Sequence, residues 1–552
     1  MKSSEYRYVN SPVNNMNQNN TYQNNMNHSN TNQNDMNHSN MNQNNTYHGN
    51  MNQNNTAHNN TYYYNEEKPE KPLHRKIRQD YRYFGGLSII YGLIFTFCLY
   101  KNLHGITFPI CVAATIAFAI LFMKRIDFEL QKQSVPYIVG MILLGISTAY
   151  TSSFFFHFFN TVGIILLFSV FMIHQFYNDH TWNLPGYIKR ILILFGTTIE
   201  SIPYPFRHGS SYLSGDKSKK NRTLTAVFIG GAVAVGMLCV ILPLLMKSDM
   251  MFSKIFGQIL KHINFGTIMG VSITFLTGAV LCYAFFAALC KYNFPEGRAR
   301  TIQYYNPVIG ITFTGIISVI YVLYCLVQIV YLFAGLKMGL PQGVTYAEYA
   351  RGGFWELLFV SVINFIMVLL CMYLFYENVI LKIVLTIISG CTFIMILSAA
   401  YRMILYIGVY HLTFLRILVL WFLIVLTLIM AGTIISMYKK SFPLFRYIMV
   451  VVSVLYIMLA FMRPDVVAIR YNISHGQIQE FQDIEYFMYN ASLDCAPEIA
   501  KINMDYYTDE WERQMIDDYF KNISEEYDDV FFRKANYSEI RAKLAADSYN
   551  GN

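Results

Sequence analysis

Glu348, Arg351 and Glu356 fall close together between two long apolar runs. Charges so placed cost free energy at membrane depth unless they find partners or water. On a helix, Glu348, Gly352 and Glu356 share one face, and Val360 and Asn364 extend it inward. Arg351 follows Glu348 by three positions and precedes Trp355 by four, spacings that suit an ion pair with the first and a cation–π contact with the second. A second polar group, Arg402, Tyr406, Tyr410, His411 and Arg416, occupies the next connection on the same side. Two acids against three bases leave one positive charge in excess. That balance suits either a structural ion-pair network or an anionic ligand, such as a phosphate, a carboxylate or a lipid headgroup. The expected geometry puts Glu356 within salt-bridge reach of Arg402 or Arg416.

Stronger chemical signatures are missing. The chain has no Gly-x-x-x-x-Gly-Lys-Ser/Thr loop, no His-Glu-x-x-His and no Gly-x-Ser-x-Gly elbow, which argues against an ATP-driven pump or a zinc protease. No residue is nominated as catalytic, and no cofactor or metal site is expected. Of nine cysteines, eight lie in apolar runs and none forms a Cys-x-x-Cys pair, so they read as small packing residues.

The elements that must hold these residues follow from punctuation and hydropathy. Pro341 and Gly343 make a turn, and Thr345 with Glu348 three residues on reads as a capping box. A helix is therefore expected to start near Tyr346 and run unbroken to about Tyr376. With 54% apolar and 14% charged residues, and several apolar runs of spanning length, the chain reads as an all-α, polytopic membrane bundle. About eleven spans are expected, near 85–101, 105–123, 136–157, 160–177, 223–246, 266–290, 307–335, 353–376, 379–401, 414–437 and 443–462. Tyr187–Phe206, with Lys189, Arg190, Pro203 and Pro205, reads as an interfacial helix ending at Ser201. Met250–His262 reads as a second.

Three segments result. Residues 1–70 are an Asn-rich tail of drifting pentapeptides, too polar to offset chain entropy and so expected to be disordered. His28, His38, His48 and His58 recur there at a spacing that fits no closed metal site. Residues 71–462 form the membrane domain, entered through a basic flank of Lys68, Lys71, Arg75, Lys76, Arg78 and Arg82 that suits anionic lipid and not nucleic acid. Residues 463–552 carry eighteen acidic and nine basic residues and show helical periodicity around 478–488, 509–522 and 538–548, an acidic helical module. Lys and Arg in alternate connections favour one side by nearly three to one, which puts the N-terminus in the cytoplasm and the module outside. No cleavable signal peptide is seen.

Three stretches together resemble a known family: Thr345-Tyr-Ala-Glu-Tyr-Ala-Arg-x-Gly-Phe354, Tyr401-Arg402-Met403-x-Leu405-Tyr406 through Tyr410-His-Leu412-Thr413-x-Leu415-Arg416, and Arg470-Tyr471-Asn472-Ile473. They are similar to a bacterial family of polytopic membrane proteins of unknown function, numbered 4173, with 4153 as its close relative. The resemblance covers roughly residues 85–545, and the family pattern has Gly where this chain has His411. It implies the architecture and brings no activity, cofactor or substrate. Three functional readings stand. The first is a non-catalytic sensor, scaffold or assembly factor of the bacterial cell envelope, meeting envelope proteins through the module. The second is a secondary transporter or lipid-handling permease built on the polar cluster. The third is a membrane-embedded transferase.

Overall fold

The computed structural model describes residues 71–177, 182, 184–215, 265–291, 305–338, 353–478, 480–502, 509–528 and 532–551, with scattered positions between 230 and 254. The tail, the span at 223–246, most of the helix at Met250–His262, Glu348 and Arg351 lie outside the described residues. Glu67–Asn552 hold together as one unit. Among the described residues the secondary structure is helical, with one isolated bridge between Tyr305 and Phe375.

A short helix α1 (Pro72–Gln79) leads into the first of ten described helices long and apolar enough to cross a membrane. The first four are α2 (Tyr81–Leu99), α3 (Thr107–Arg125), α4 (Val135–Tyr150) and α5 (Phe154–Phe176). After α6 (Leu184–Glu200) and α7 (Tyr204–Gly215) come α8 (Phe265–Lys291), α9 (Pro307–Met338), α10 (Phe354–Leu374), α11 (Val379–Tyr410), α12 (Phe414–Tyr438) and α13 (Leu444–Met462). These spans are apolar all round, because both the bundle core and the acyl chains accept apolar side chains. Ile90, Leu93 and Phe97 of α2, and Val319, Leu323 and Val330 of α9, point outward and are more than half exposed. Such a surface would aggregate in water; in a bilayer it is the solvated face.

The bundle has two distinct ends. One is basic and laced by ion pairs: Lys76–Asp127 at 2.7 Å, Arg125–Asp80 at 2.9 Å and Lys440–Glu377 at 2.9 Å. Helix α6 lies across this end and does not pass through the bundle. Near its start Tyr187 stacks on Phe445 in the first turn of α13, with ring centres 3.8 Å apart. At its end Glu200 faces Lys291 at 3.7 Å. Arg190 is buried against the Trp182 ring at 3.7 Å, while Ile188, Leu192 and Ile199 face outward, the division expected of an interfacial helix. Tyr177, after α5, donates to the Leu289 carbonyl in the last turns of α8. The chain therefore changes ends of the bundle between Tyr177 and the start of α8.

At the other end sits the module: α14 (Pro464–Ser474), α15 (Phe481–Tyr489), α16 (Ala496–Ile499), α17 (Glu510–Glu526) and α18 (Tyr537–Asn550). Arg463 takes a left-handed conformation (φ 52°) and Pro464 opens α14 at its first turn, which separates α14 from α13. A capping box of Glu480 and Asp483 starts α15. Ile469, Ile484, Ile499, Ile516, Phe520 and Ala546 are fully buried in a core continuous with Leu423, Leu426 and Leu459 of the bundle. The module is thus packed onto the bundle and not hung from it.

Two expectations about the organising corner are corrected. Gly353 takes a left-handed conformation (φ 77°) as the N-cap of α10, so no helix runs unbroken through it. Helix α11 extends to Tyr410, nine residues beyond the expected end at Tyr401. Its 32 residues make about 48 Å against a hydrocarbon core of about 30 Å, so its last turns project from the bilayer. Hydropathy ended this helix at the polar Arg402. No proline stands between Tyr401 and Tyr410, and the helix runs through Gly408.

Candidate functional site: the joint between bundle and module

The structure scatters part of the expected cluster and gathers the rest in a different role. Glu356 is exposed in the first turn of α10 and makes no ion pair with any described residue. The expected bridge to Arg402 or Arg416 is not formed. Asn364, by contrast, is fully buried and satisfied. It accepts from Tyr321 Oη of α9 at 2.8 Å and donates to Thr392 Oγ1 of α11 at 3.0 Å. It ties three helices together, as a polar side chain facing the bundle interior does in lipid.

Tyr406 and Tyr410 stand on α11 rather than in a connection, one turn apart with ring centres at 4.8 Å. Arg416, at the start of α12, donates to the carbonyls of Tyr410 and His411 and lies over the Tyr406 ring at 4.4 Å. A cation at this point caps the orphan carbonyls of α11 and meets the negative end of its dipole. Arg402 reaches toward Gly353: a Cβ placed there would stand 2.8 Å from Arg402 Nη1. The positive φ favours glycine there, while the end of the flexible Arg402 side chain could shift to make room for a Cβ. His411 Nε2 lies 3.2 Å from Asp483 of the module.

The three stretches that carried the family resemblance meet in space. Gly353 of the first faces Arg402 of the second. Leu412 of the second is clasped by Asn472 of the third, whose side chain accepts from Leu412 N at 2.7 Å and donates to Leu412 O at 2.9 Å. Asn472 is buried and pairs with a backbone amide as a neighbouring strand would.

Sequence reasoning missed the centre of the joint, Asp494, which is buried in the turn before α16. It accepts from Thr151 Oγ1 at 2.6 Å, Ser152 N at 3.0 Å, Ser152 Oγ at 3.1 Å and Ser538 Oγ, and faces Arg463 Nη2 at 3.3 Å. Arg463 in turn rests against the rings of Tyr150 and Tyr537, which stack at 4.9 Å. Beside it the buried Asn536 amide donates to the carbonyls of His104, Thr148 and Thr151, joining α18 to two bundle connections. His104 also meets Glu539 at 3.0 Å and stacks on His157. One acidic residue of the module thus gathers the α4–α5 connection, the end of α13 and the start of α18.

Electrostatics fit a clasp. Burial pushes the Asp494 carboxyl up, but Arg463 and the hydroxyls of Ser538 and Thr151 outweigh it and hold the group below the ordinary carboxylate value. Glu498 is likewise held low: burial opposes, and Arg470 at 2.6 Å and Lys501 at 3.0 Å prevail. Asp465 goes the other way, raised by burial and by the Asp494 charge despite two bonds from Ser492. Burial pushes the Cys495 thiol well up, which makes it a packing residue. Both oxygens of Asp494 are engaged, so it is not poised as a base. Among the described residues no three His, Cys, Asp or Glu side chains converge as a metal site needs.

A family model described as "Domain of unknown function (DUF4153)" matches residues 138–502. The chain belongs to this family. The matched stretch starts in α4 and ends just past α16, so it holds Thr151, Ser152, Leu412, Arg463, Asn472 and Asp494. Asn536 and Ser538, the α18 half of the joint, lie beyond it. The number 4153 is that of the close relative in the resemblance; for 4173 the match supplies no support. No curated protein and no solved structure matches the chain.

Proposed function

We propose that this multi-pass membrane protein is a non-catalytic sensor, scaffold or assembly factor of the bacterial cell envelope. In this reading the N-terminus is cytoplasmic and the module is presented outside the plasma membrane. The observation that carries it is the joint itself, in which both oxygens of the buried Asp494 are engaged in fixing a module to the bundle. The excess of Lys and Arg at the opposite end supports the orientation. Membership in the sister family 4173 rests on the three stretches quoted above.

The fixed module offers a groove of about 720 Å³. One wall is a single face of α18, with Arg541, Leu544, Ala545, Ser548 and Tyr549 at helical spacing. Pro497, Ala500 and Lys501 form the other. Asp517 accepts from Tyr549 Oη at 2.8 Å, Lys501 is occupied by Glu498, and Arg541 has no ion pair among the described residues. A half-apolar groove with one unspent base suits an amphipathic segment of an envelope protein that carries an acid. The permease reading is weaker, because the Asn364 amide is consumed between helices.

The test is a photocrosslinking residue at Leu544 in the full chain, in living cells. The proposal expects one discrete adduct, lost on Arg541→Glu, and none from a crosslinker at exposed Asn522. No adduct at Leu544, or the same adducts from both positions, would overturn it. Solute uptake by reconstituted vesicles that survives Leu544→Glu would favour the permease.

A further inference from the structure

The module touches the bundle a second time, away from Asp494, through the turn Phe532–Lys534. This turn is pinned to the α2–α3 connection. Arg533 Nη1 donates to the Phe97 carbonyl at 2.9 Å, and the Arg533 carbonyl accepts from Asn102 Nδ2 at 2.8 Å and Thr107 Oγ1 at 3.3 Å. Ile106 N donates to Ala535 O at 2.8 Å. Gly105 is what lets the two backbones approach: a Cβ there would meet Arg533 O at 2.6 Å.

These bonds fix depth. Phe97 lies in the last turn of α2, a 19-residue span that matches the thickness of a hydrocarbon core. The Phe97 ring is itself turned outward, 62% exposed. A guanidinium on the Phe97 carbonyl therefore stands where acyl chains give way to headgroups. In the same pinned turn Phe532 projects freely, 73% exposed, and Leu103 and Ile106 of the connection it is pinned to are exposed as well. Lys101 and Lys534 are exposed and Arg533 is half-buried around the same patch, three bases in a region whose module is otherwise strongly acidic.

We infer that Phe532–Lys534 is a membrane-seated foot of the module. Phe532 inserts at the boundary of acyl chain and headgroup in the leaflet on the module side, and Lys101, Arg533 and Lys534 hold phosphates of anionic lipid headgroups. An aromatic ring with flanking bases is the side-chain set that interfaces favour, because the ring loses water and the bases keep their counter-charge. The foot gives an acidic module, otherwise repelled by an anionic surface, two adjacent bases, Arg533 and Lys534, beside Lys101 of the bundle.

The full chain in lipid discs tests this through Phe532→Trp, read against the parent's four tryptophans. The expected result is an added emission component lost with lipids brominated near the headgroup end of the chain and protected from aqueous acrylamide. Discs containing phosphatidylglycerol should show more of that loss than discs of phosphatidylcholine, and Lys101→Ser with Lys534→Ser should remove the difference. Added emission quenched by acrylamide and untouched by brominated lipid would overturn the inference. A benzophenone amino acid at Lys534 gives a second, independent measurement in cells. Lipid adducts support the foot; protein adducts in place of lipid would assign this patch to a protein partner and overturn it.

Discussion

Replacing Asp494 with Ala should release the module from the bundle. The carboxylate has four hydrogen-bond contacts and an ion pair in a site where it is 2% exposed, and Arg463 beside it is 15% exposed. Removing one partner of a buried pair leaves the other charge desolvated and uncompensated, at a cost of about 3–5 kcal/mol. That corresponds to a rise of about 10²- to 4 × 10³-fold in the population of the opened joint. Hydrogen exchange of the α18 amides, in the full chain in detergent, should speed up by this factor while α4 and α5 amides change little. Asp494→Asn keeps an acceptor for Ser152 and Ser538 and should lose less. Adding Arg463→Met to Asp494→Ala should recover part of the loss, because the stranded charge is then gone. Unchanged α18 exchange in Asp494→Ala, or strictly additive effects of the two substitutions, would refute the clasp.

Three further outcomes follow from the same geometry. Asp465 has a folded-state pKa raised by burial, so its stabilising contribution is complete below the unfolded carboxylate value and is lost as pH rises through the folded one; Asp465→Asn, which still accepts from Ser492, should raise the melting temperature relative to the parent at pH 7 more than at pH 4, and a lower value at pH 7 would contradict this. Glu356→Ala should cost no more than an exposed first-turn carboxylate contributes, about 0.3–1 kcal/mol by thermal unfolding in detergent; a larger loss would restore the ion pair expected from sequence. His411 sits at φ 72° and ψ 160°, a region nearly reserved for glycine, so His411→Ala should unfold at lower temperature than His411→Gly, by about 1 kcal/mol or more; the reverse order would show that the Asp483 contact outweighs the backbone.

The spans were legible because their signal is redundant: each carries some twenty apolar residues, so a misplaced end does not hide a span, and ten of the eleven expected stand among the described residues. Helix α6 was legible for the opposite reason, since Lys189, Arg190 and Glu200 disqualify it as a span while its apolar residues keep helical spacing. The corner was not. Spacing rules say which residues share a face of one helix, but not which way that face turns, and Glu356 faces outward while Asn364, eight positions on, faces in. The Asp494 joint was invisible because it is assembled from residues more than three hundred positions apart, among them ordinary Ser and Thr. Its one local trace was Arg463, a base directly after the last span, and Asn472 stood in a stretch recognised by resemblance without a reason attached.

That reason is now physical. A helix that projects beyond the bilayer leaves its final carbonyls unpaired, and its connection must be held by something other than lipid. Arg416 takes the Tyr410 and His411 carbonyls, and Asn472 takes both backbone groups of Leu412. The connection after α11 is therefore tied to α14 through Leu412 and to α12 through Arg416. The same holds at Thr151–Ser153, where Asp494 and Asn536 occupy the backbone between α4 and α5. Two bundle connections far apart in sequence are thus completed by one module, which makes the position of each helix pair conditional on the other through α14 to α18. A change that loosened the module would therefore reach both pairs together, a coupling between two sites carried by one element that both contact.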